Sequence, residues 1–305
     1  SIWFSGAEIS YIFISLLIAS LLTLLMLIPV YFNIKFKLDF NLLKRMLRFG
    51  FPVMIAGLAY AINETFDRVL LDYLLPEDTA ESQIGAYSAC YKLALFITLF
   101  ATAFRLGIEP FFFSHAKEKN SKDTYATITK YFTLMGLGIL LCVIVFADVL
   151  KELFIRDDSY WEAMTIVPYI LLANLCLGVY FNLSVWYKIT DKTKFGAYFS
   201  VVGAIITLVL NFALIPIIGY KGSAIATLCA YGTMMLLSYG FGRKHFPIDY
   251  NLKKIGLFTV LALGFSAISF LGFRGNLYIG IALILVFFGM LFLSEKNELK
   301  RFLKS

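Results

Sequence analysis

The sequence has little charge for its length. Only 15% of its 305 residues are charged and 60% are hydrophobic, and the mean hydropathy is +0.80. Ordinary soluble domains are about half apolar and about a quarter charged, so this chain has too little polar surface to be one. It is expected to lie in a membrane.

Candidate ligands for metals and cofactors are also scarce. The only two histidines, His115 and His245, lie in separate polar segments, and no Cys-x-x-Cys motif is present. Cysteine inside an apolar run usually acts as a small buried hydrophobic residue. We therefore predict no metal site, no cofactor and no disulfide. All four cysteines lie in such runs: Cys90, Cys142, Cys176 and Cys229.

Long apolar runs dominate what is present. About 20 residues of helix cross the hydrocarbon core, and nine runs are long enough or nearly so. The predicted fold is therefore an all-α polytopic membrane protein with nine transmembrane helices. Pro110 is expected to end or kink the overlong third span. The spans are roughly 8–32, 49–75, 85–114, 126–148, 163–187, 195–218, 222–242, 255–273 and 277–293.

Lysine and arginine are distributed unevenly between the two sides of the predicted membrane. One set of loops holds 20 of the 27 and the alternate loops hold four. Because cytoplasmic loops carry the excess, the C-terminus is predicted to be cytoplasmic. The net charge of +7 then reflects topology, and no nucleic-acid partner is expected. The basic segments are 33–48, 115–130, 188–194, 243–254 and 294–305.

The start of the chain suggests a longer parent protein. Ser1 is followed almost at once by an apolar run, with neither the basic region nor the cleavage site of a signal peptide. Nine spans and an internal C-terminus would place residue 1 outside. We expect further helices upstream.

The segment 33–48 is predicted to be a basic amphipathic helix on the cytoplasmic face. Phe40, Leu43 and Leu47 recur on one face, whereas Lys44 and its basic neighbours lie on the other. We interpret this segment as a linker ahead of a helix bundle that starts at residue 49.

Charged residues lie inside the second and third spans, which a turn at 76–82 is predicted to join. A Lys or Arg in mid-bilayer costs about 2.5–3.5 kcal/mol on insertion scales, so it usually faces a protein interior or a wet cavity. Arg68 and Lys92 are each seven residues from the turn-proximal end of their span, which predicts one shared depth. These two cations, with Arg105 as a third, are candidate ligands for an anionic headgroup.

The same charges allow a simpler interpretation. Glu64 and Arg68 are four residues apart, as are Arg105 and Glu109, and this spacing permits ion pairs on one helix face. In that case the ion pairs would only lower the free-energy cost of placing these charged helices in lipid. Glu64, Asp67 and Glu109 are therefore candidates for charge pairing or for ion coupling.

Residues 211–227, NFALIPIIGYKGSAIAT, form the most specific motif. They closely resemble the signature of the polysaccharide-exporter branch of the MATE/MOP superfamily. Residues 49–52, 67–71 and 85–92 are similar to the second helix bundle of that family. The resemblance covers roughly residues 35–293.

The resemblance implies a flippase for undecaprenyl-pyrophosphate-linked oligosaccharides, of the O-antigen or capsule type, working by alternating access. Such proteins have two six-helix lobes and two further helices, fourteen in all. Residues 1–32 would then end a missing N-terminal lobe, and 33–48 would be the linker. Residues 49–242 would form the C-terminal lobe, and 243–305 the extra pair with a basic tail.

The resemblance also implies a location and partners. The protein would be multi-pass in the bacterial plasma (inner) membrane and would act in cell-surface polysaccharide biosynthesis. Its partners would be the lipid-linked oligosaccharide, membrane lipids, the missing lobe, and polysaccharide polymerase and glycosyltransferases.

Two other functions remain open from the sequence. A cation-coupled drug or metabolite antiporter of the same superfamily would favour twelve helices and acidic residues in the lobe. A membrane sugar polymerase or glycosyltransferase would need a large outer loop with an acid–base pair. The outer loops here are short, so we predict that the chain is not an enzyme and has no catalytic residues.

Overall fold

The computed structural model describes residues 10–32, 38–116, 118, 120–155 and 157–302. Within these ranges the chain is helical and contains no strand. Nine of the described helical stretches are long and apolar enough to cross a membrane. The predicted all-α polytopic membrane fold is confirmed.

The helices follow one another with short connections. The first ones are α1 (Ser10–Phe32), α2 (Phe40–Leu74), α3 (Glu77–Ser114), α4 (Ser121–Val145) and α5 (Ala147–Phe154). A 3₁₀ segment, Asp158–Ile166, leads into α6 (Val167–Leu183) and α7 (Val185–Ile189). Then come α8 (Lys194–Ile218), α9 (Tyr220–His245), α10 (Leu252–Ala267) with a π-helical end, Ile268–Gly272, and α11 (Leu277–Phe302).

The chain divides into two compact units, one ending at Arg48 and one starting at Phe49. The first contains α1 and the beginning of α2, whose N-terminus Asp39 caps. Its carboxylate accepts hydrogen bonds from the backbone N–H groups of Asn41 and Leu42, at 2.9 and 3.1 Å. A carboxylate in this position satisfies donors that the first helical turn leaves open.

Several helix boundaries differ from the prediction. The expected linker helix and the second span belong to one continuous helix, α2. The helix α3 begins at Glu77, not at 85, because Glu77 and Asp78 are favourable first-turn residues at the positive end of a helix dipole. It continues through Pro110, which therefore does not end it, and its last residue, Ser114, agrees with the predicted end of the span. Residues 33–37 of the predicted linker lie outside the described ranges.

The core of the second unit lies around α4 and α6. The helix α6 packs on α3, α4 and α9, while α10 and α11 pack on α4. Fully buried side chains such as Leu93, Leu134 and Ile170 fill the space between them. Inside a bilayer such packing depends on close contact more than on exclusion of water.

The connection between α8 and α9 explains part of the 211–227 motif. Gly219 has φ +58°, a conformation that a residue with a side chain rarely adopts. Tyr220 donates its backbone N–H to the Gln83 side chain at 3.1 Å. A Cβ atom on Gly222 would lie 2.8 Å from the backbone of Leu214, so glycine lets the two helices approach closely.

An ion cluster fastens the last two helices to α4. Lys130 of α4 pairs with Glu295 of α11 at 2.9 Å and also contacts Glu298. Lys254 of α10 pairs with Glu295 at 2.6 Å. The side chains of Lys130 and Glu295 are only 6% and 3% exposed, so each depends on the other for compensation of its charge.

Candidate functional site

The helix α2 carries its polar residues toward the neighbouring helices. Asn63 and Asp67 are four residues apart and therefore lie on one helix face. Their exposed fractions are 1% and 2%. Glu64 and Arg68, next to them in sequence, are half-buried at the edge of this face.

Asp67 receives hydrogen bonds from three other helices. Tyr87 of α3 donates to Oδ2 at 2.6 Å, Thr227 of α9 to the same oxygen at 2.9 Å, and Asn211 of α8 to Oδ1 at 3.0 Å. No ion pair to Asp67 occurs among the described residues. The three hydrogen-bond donors are therefore neutral, the charge of Arg68 lies nearby, and we call Asp67 with its three donors the Asp67 network.

The network extends to further side chains of α8 and α9. Ser223 donates to the Asn211 side-chain oxygen at 2.7 Å, and Thr207 donates to the Asn63 oxygen at 2.6 Å. Asn211, Ser223 and Thr227 are three of the polar positions of the 211–227 motif. The motif thus supplies both a tight connection between helices and partners for the buried acid.

Glu64 is held by tyrosines. Tyr231 of α9 donates to Oε1 at 2.6 Å, and the Tyr91 hydroxyl lies 3.3 and 3.4 Å from the two carboxylate oxygens. The predicted Glu64–Arg68 ion pair is absent from the described side chains, because Glu64 turns to these hydroxyls.

Arg68 points toward α3. Its Nε donates to the Ser88 hydroxyl at 3.1 Å and its Nη1 to the backbone carbonyl of Glu64 at 3.0 Å. The guanidinium carbon lies 5.2 Å from the centre of the Tyr91 ring and 5.8 Å from that of Tyr87. The charge therefore meets aromatic rings, a hydroxyl and a carbonyl.

Lys92 lies four residues after Ser88, so both face the same side of α3. Its side chain is exposed, and no ion pair joins it to any residue that the structure describes. Arg68 contacts Ser88, and Lys92 follows Ser88 by about one helical turn along α3, so both cations belong to the same stretch of that helix.

Arg105 and Glu109 lie apart from this pair. Lys92 and Arg105 are 13 residues apart on α3, a separation of about 20 Å along the axis. The predicted Arg105–Glu109 ion pair is not formed between these two described side chains. Arg105 instead stacks over Phe181, 4.6 Å from the ring centre, and Glu109 pairs with Lys188 at 2.5 Å.

Several residues of the site were not predicted from the sequence. Asn211 and Thr227 lie in the 211–227 motif and Tyr87 lies in the segment 85–92, but no role was predicted for their side chains. A further signal was that Tyr87 and Tyr91 are four residues apart on the helix opposite the acids.

A comparison with protein families identifies this bundle. The MatE family model matches residues 52–213, just over half of the chain and most of α2 through α8. The chain belongs to the MatE family. With nine possible spans in the described part, it is a multi-pass membrane protein.

Two individual proteins share similarity with this MatE chain. A Haloferax volcanii protein named "Probable low-salt glycan biosynthesis flippase Agl15" is 23% identical over 226 residues, which cover 69% of this chain and 46% of the relative. A structure titled "Lipid II flippase MurJ, inward closed conformation" superposes with a TM-score of 0.64 and 18% identity, over 91% of this chain and 61% of that one. The chain thus spans about half the length of the curated relative.

Proposed function

We propose that this chain is part of a flippase that moves undecaprenyl-pyrophosphate-linked oligosaccharides across the plasma membrane by alternating access. Membership of the MatE family and similarity to a protein named as a glycan biosynthesis flippase support this proposal. Residues 49–242 are proposed to form one lobe, with the last two helices as an addition. Cell-surface polysaccharide, O-antigen or capsule, is the proposed end product.

One observation carries the proposal: Arg68 and Lys92 lie in spans, and neither forms an ion pair with a carboxylate of the described residues. Unpaired cations in a membrane are costly, and a pyrophosphate would offset that cost. Arg68 offers a planar fork of donors and Lys92 a mobile point charge, and both suit phosphate oxygens.

Arg105 lies farther from the proposed phosphate-binding residues. About 20 Å along α3 from Lys92, it is too far away to hold the same phosphate group. Arg105 would therefore contact the oligosaccharide at another stage of its passage, or it would bind an acidic sugar.

Asp67 and Glu64 are the proposed coupling groups. Each carboxylate is held by hydroxyl groups, and hydroxyls can rotate to suit either a charged or a protonated partner. Gain or loss of a proton or cation at Asp67 would change the contacts of three neighbouring helices at once. Glu109, paired with Lys188 in a separate place, is proposed to serve charge pairing only.

The test uses cells whose surface glycan depends on this protein. The double variant R68A/K92A is expected to reduce glycan export at least tenfold, with normal protein levels in the membrane, because one lost charged contact is worth roughly 1.5–3 kcal/mol. K92R retains the charge and is expected to keep most of the activity. K192A, which removes a loop lysine, is the control. Full export by R68A/K92A would exclude these cations from the mechanism.

The antiporter remains the rival function, and the buried acids Asp67 and Glu64 are the features that favour it. A cation-coupled antiporter would confer resistance to cationic drugs, whereas a flippase would not. Two results together would support the antiporter. Drug efflux would depend on Asp67, and deletion of the protein would leave the surface glycan unchanged.

A further inference from the structure

A long groove separates α9 from α10. The helix α9 packs on α6, and α10 packs on α4, while α4 and α6 touch each other. The two outer helices therefore form the walls of the groove, and α4 and α6 form its floor.

Two cavities lie one after the other along this groove. The first, of about 470 Å³, is near the α8–α9 connection and is lined by residues such as Leu140, Ile225 and Leu263. The second, of about 350 Å³, begins about one turn further along α4 and α10 and is lined by residues such as Leu137, Met235 and Thr259. Their linings are mainly apolar, and apolar cavities do not hold water well.

The first cavity has two polar features without partners. Lys221, at its edge, is exposed and forms no ion pair with another described residue. Ser266 lines the cavity wall, is 5% exposed, and its hydroxyl has no hydrogen-bond partner within the described part of the chain. Arg274, which stacks over the cavity residue Phe270, is different because it forms an ion pair with Asp148.

We propose that the α9–α10 groove binds one anionic membrane phospholipid, with an acyl chain in the two cavities and its phosphate on Lys221. A groove that is open to the bilayer and mainly apolar is filled by a lipid chain, and a free cation at one end selects a negative headgroup. The carbonyl of an ester-linked chain would accept the hydrogen bond that Ser266 can donate. This lipid is bound, not transported, so the inference does not depend on the proposed flippase activity.

Native mass spectrometry of the purified full chain in detergent tests the site. Phosphatidylglycerol and phosphatidylcholine with identical chains are titrated separately, and a single bound lipid is expected at lower concentration for phosphatidylglycerol. K221A is expected to weaken phosphatidylglycerol binding about fivefold and leave phosphatidylcholine unchanged, whereas K221R retains binding. K151A, which removes a cation that is already paired with Asp148, is the matched control.

A second variant tests the cavity itself. Ala267 lines the first cavity, so A267W is expected to fill it and abolish the single bound lipid while Lys221 is intact. A symmetric gel-filtration peak verifies that the variant is folded, and V260W, which places tryptophan on an exposed part of α10, is the control.

Three outcomes would overturn the proposal. The first is equal affinity of the protein for the two phospholipids. The second is unchanged phosphatidylglycerol binding by both K221A and A267W. The third is displacement of phosphatidylglycerol by a polyprenyl phosphate at much lower concentration. The last outcome would assign the groove to an isoprenoid chain.

Discussion

At the scale of single residues, Asp67 shows how a carboxylate can be accommodated inside a membrane-spanning helix. Its two oxygens accept hydrogen bonds from Tyr87, Thr227 and Asn211, which come from three different helices. Hydrogen bonds to a charged group contribute about 1.5–3 kcal/mol each. The acid therefore stabilises the bundle through its contacts with three helices.

D67A is expected to reduce the free energy of unfolding by on the order of 3 kcal/mol, because three buried donors lose their acceptor. D67N keeps the size of the side chain and one oxygen, and is expected to lose less than half as much. Thermal unfolding of the purified protein in detergent gives the comparison. Equal stability of D67A and the wild type would mean that the network contributes nothing to the fold.

At the scale of helices, the packing of α8 on α9 depends on Gly219 and Gly222. Substitution of Gly222 is the simpler test. G222A would place a methyl group 2.8 Å from the backbone of Leu214, which no side-chain movement can relieve. We expect a loss of about 1–3 kcal/mol from this overpacking.

G232A is the matched control for that prediction. Gly232 lies on the same helix with no atom near the position of an added Cβ, and alanine favours helix by up to about 1 kcal/mol. It should be neutral or slightly stabilising. If both variants melted at the same temperature as the wild type, close approach of α8 and α9 would not be what the glycine provides.

Hydropathy predicted the existence and order of the helices because each span must be apolar for some 20 residues whatever its neighbours are. It failed at Glu77 and Asp78, where charged residues that look like a turn are instead good residues for a helix start. The ion pairs were predicted from helix spacing, and this prediction also failed. Spacing along one helix places Glu64 near Arg68, but it cannot show that Tyr231, far away in the sequence, donates a hydrogen bond to Glu64.

At the scale of the whole second unit, the ion cluster at Glu295 stabilises the packing of α10 and α11 on α4. Removal of one member of a buried ion pair costs about 3–5 kcal/mol, because the remaining charge is uncompensated. K130M leaves Glu295 with Lys254 and the Tyr131 hydroxyl, so a value near the lower limit is expected.

Hydrogen exchange of α11 is the measurement for K130M, and faster exchange along that helix is the expected result. K122M is the control, since Lys122 is exposed on the same helix as Lys130 and packs only over the ring of Phe246. Unchanged protection of α11 in K130M would show that apolar packing alone holds the helix on α4.

The central claim is that Arg68 and Lys92 together bind the anionic headgroup of a lipid-linked sugar. The direct measurement is the dissociation constant of the purified protein for a polyprenyl-pyrophosphate oligosaccharide, compared between the wild type and R68A/K92A. An increase of at least tenfold in the double variant, with K192A unchanged, is the result we predict. Equal affinity of the double variant and the wild type would contradict it.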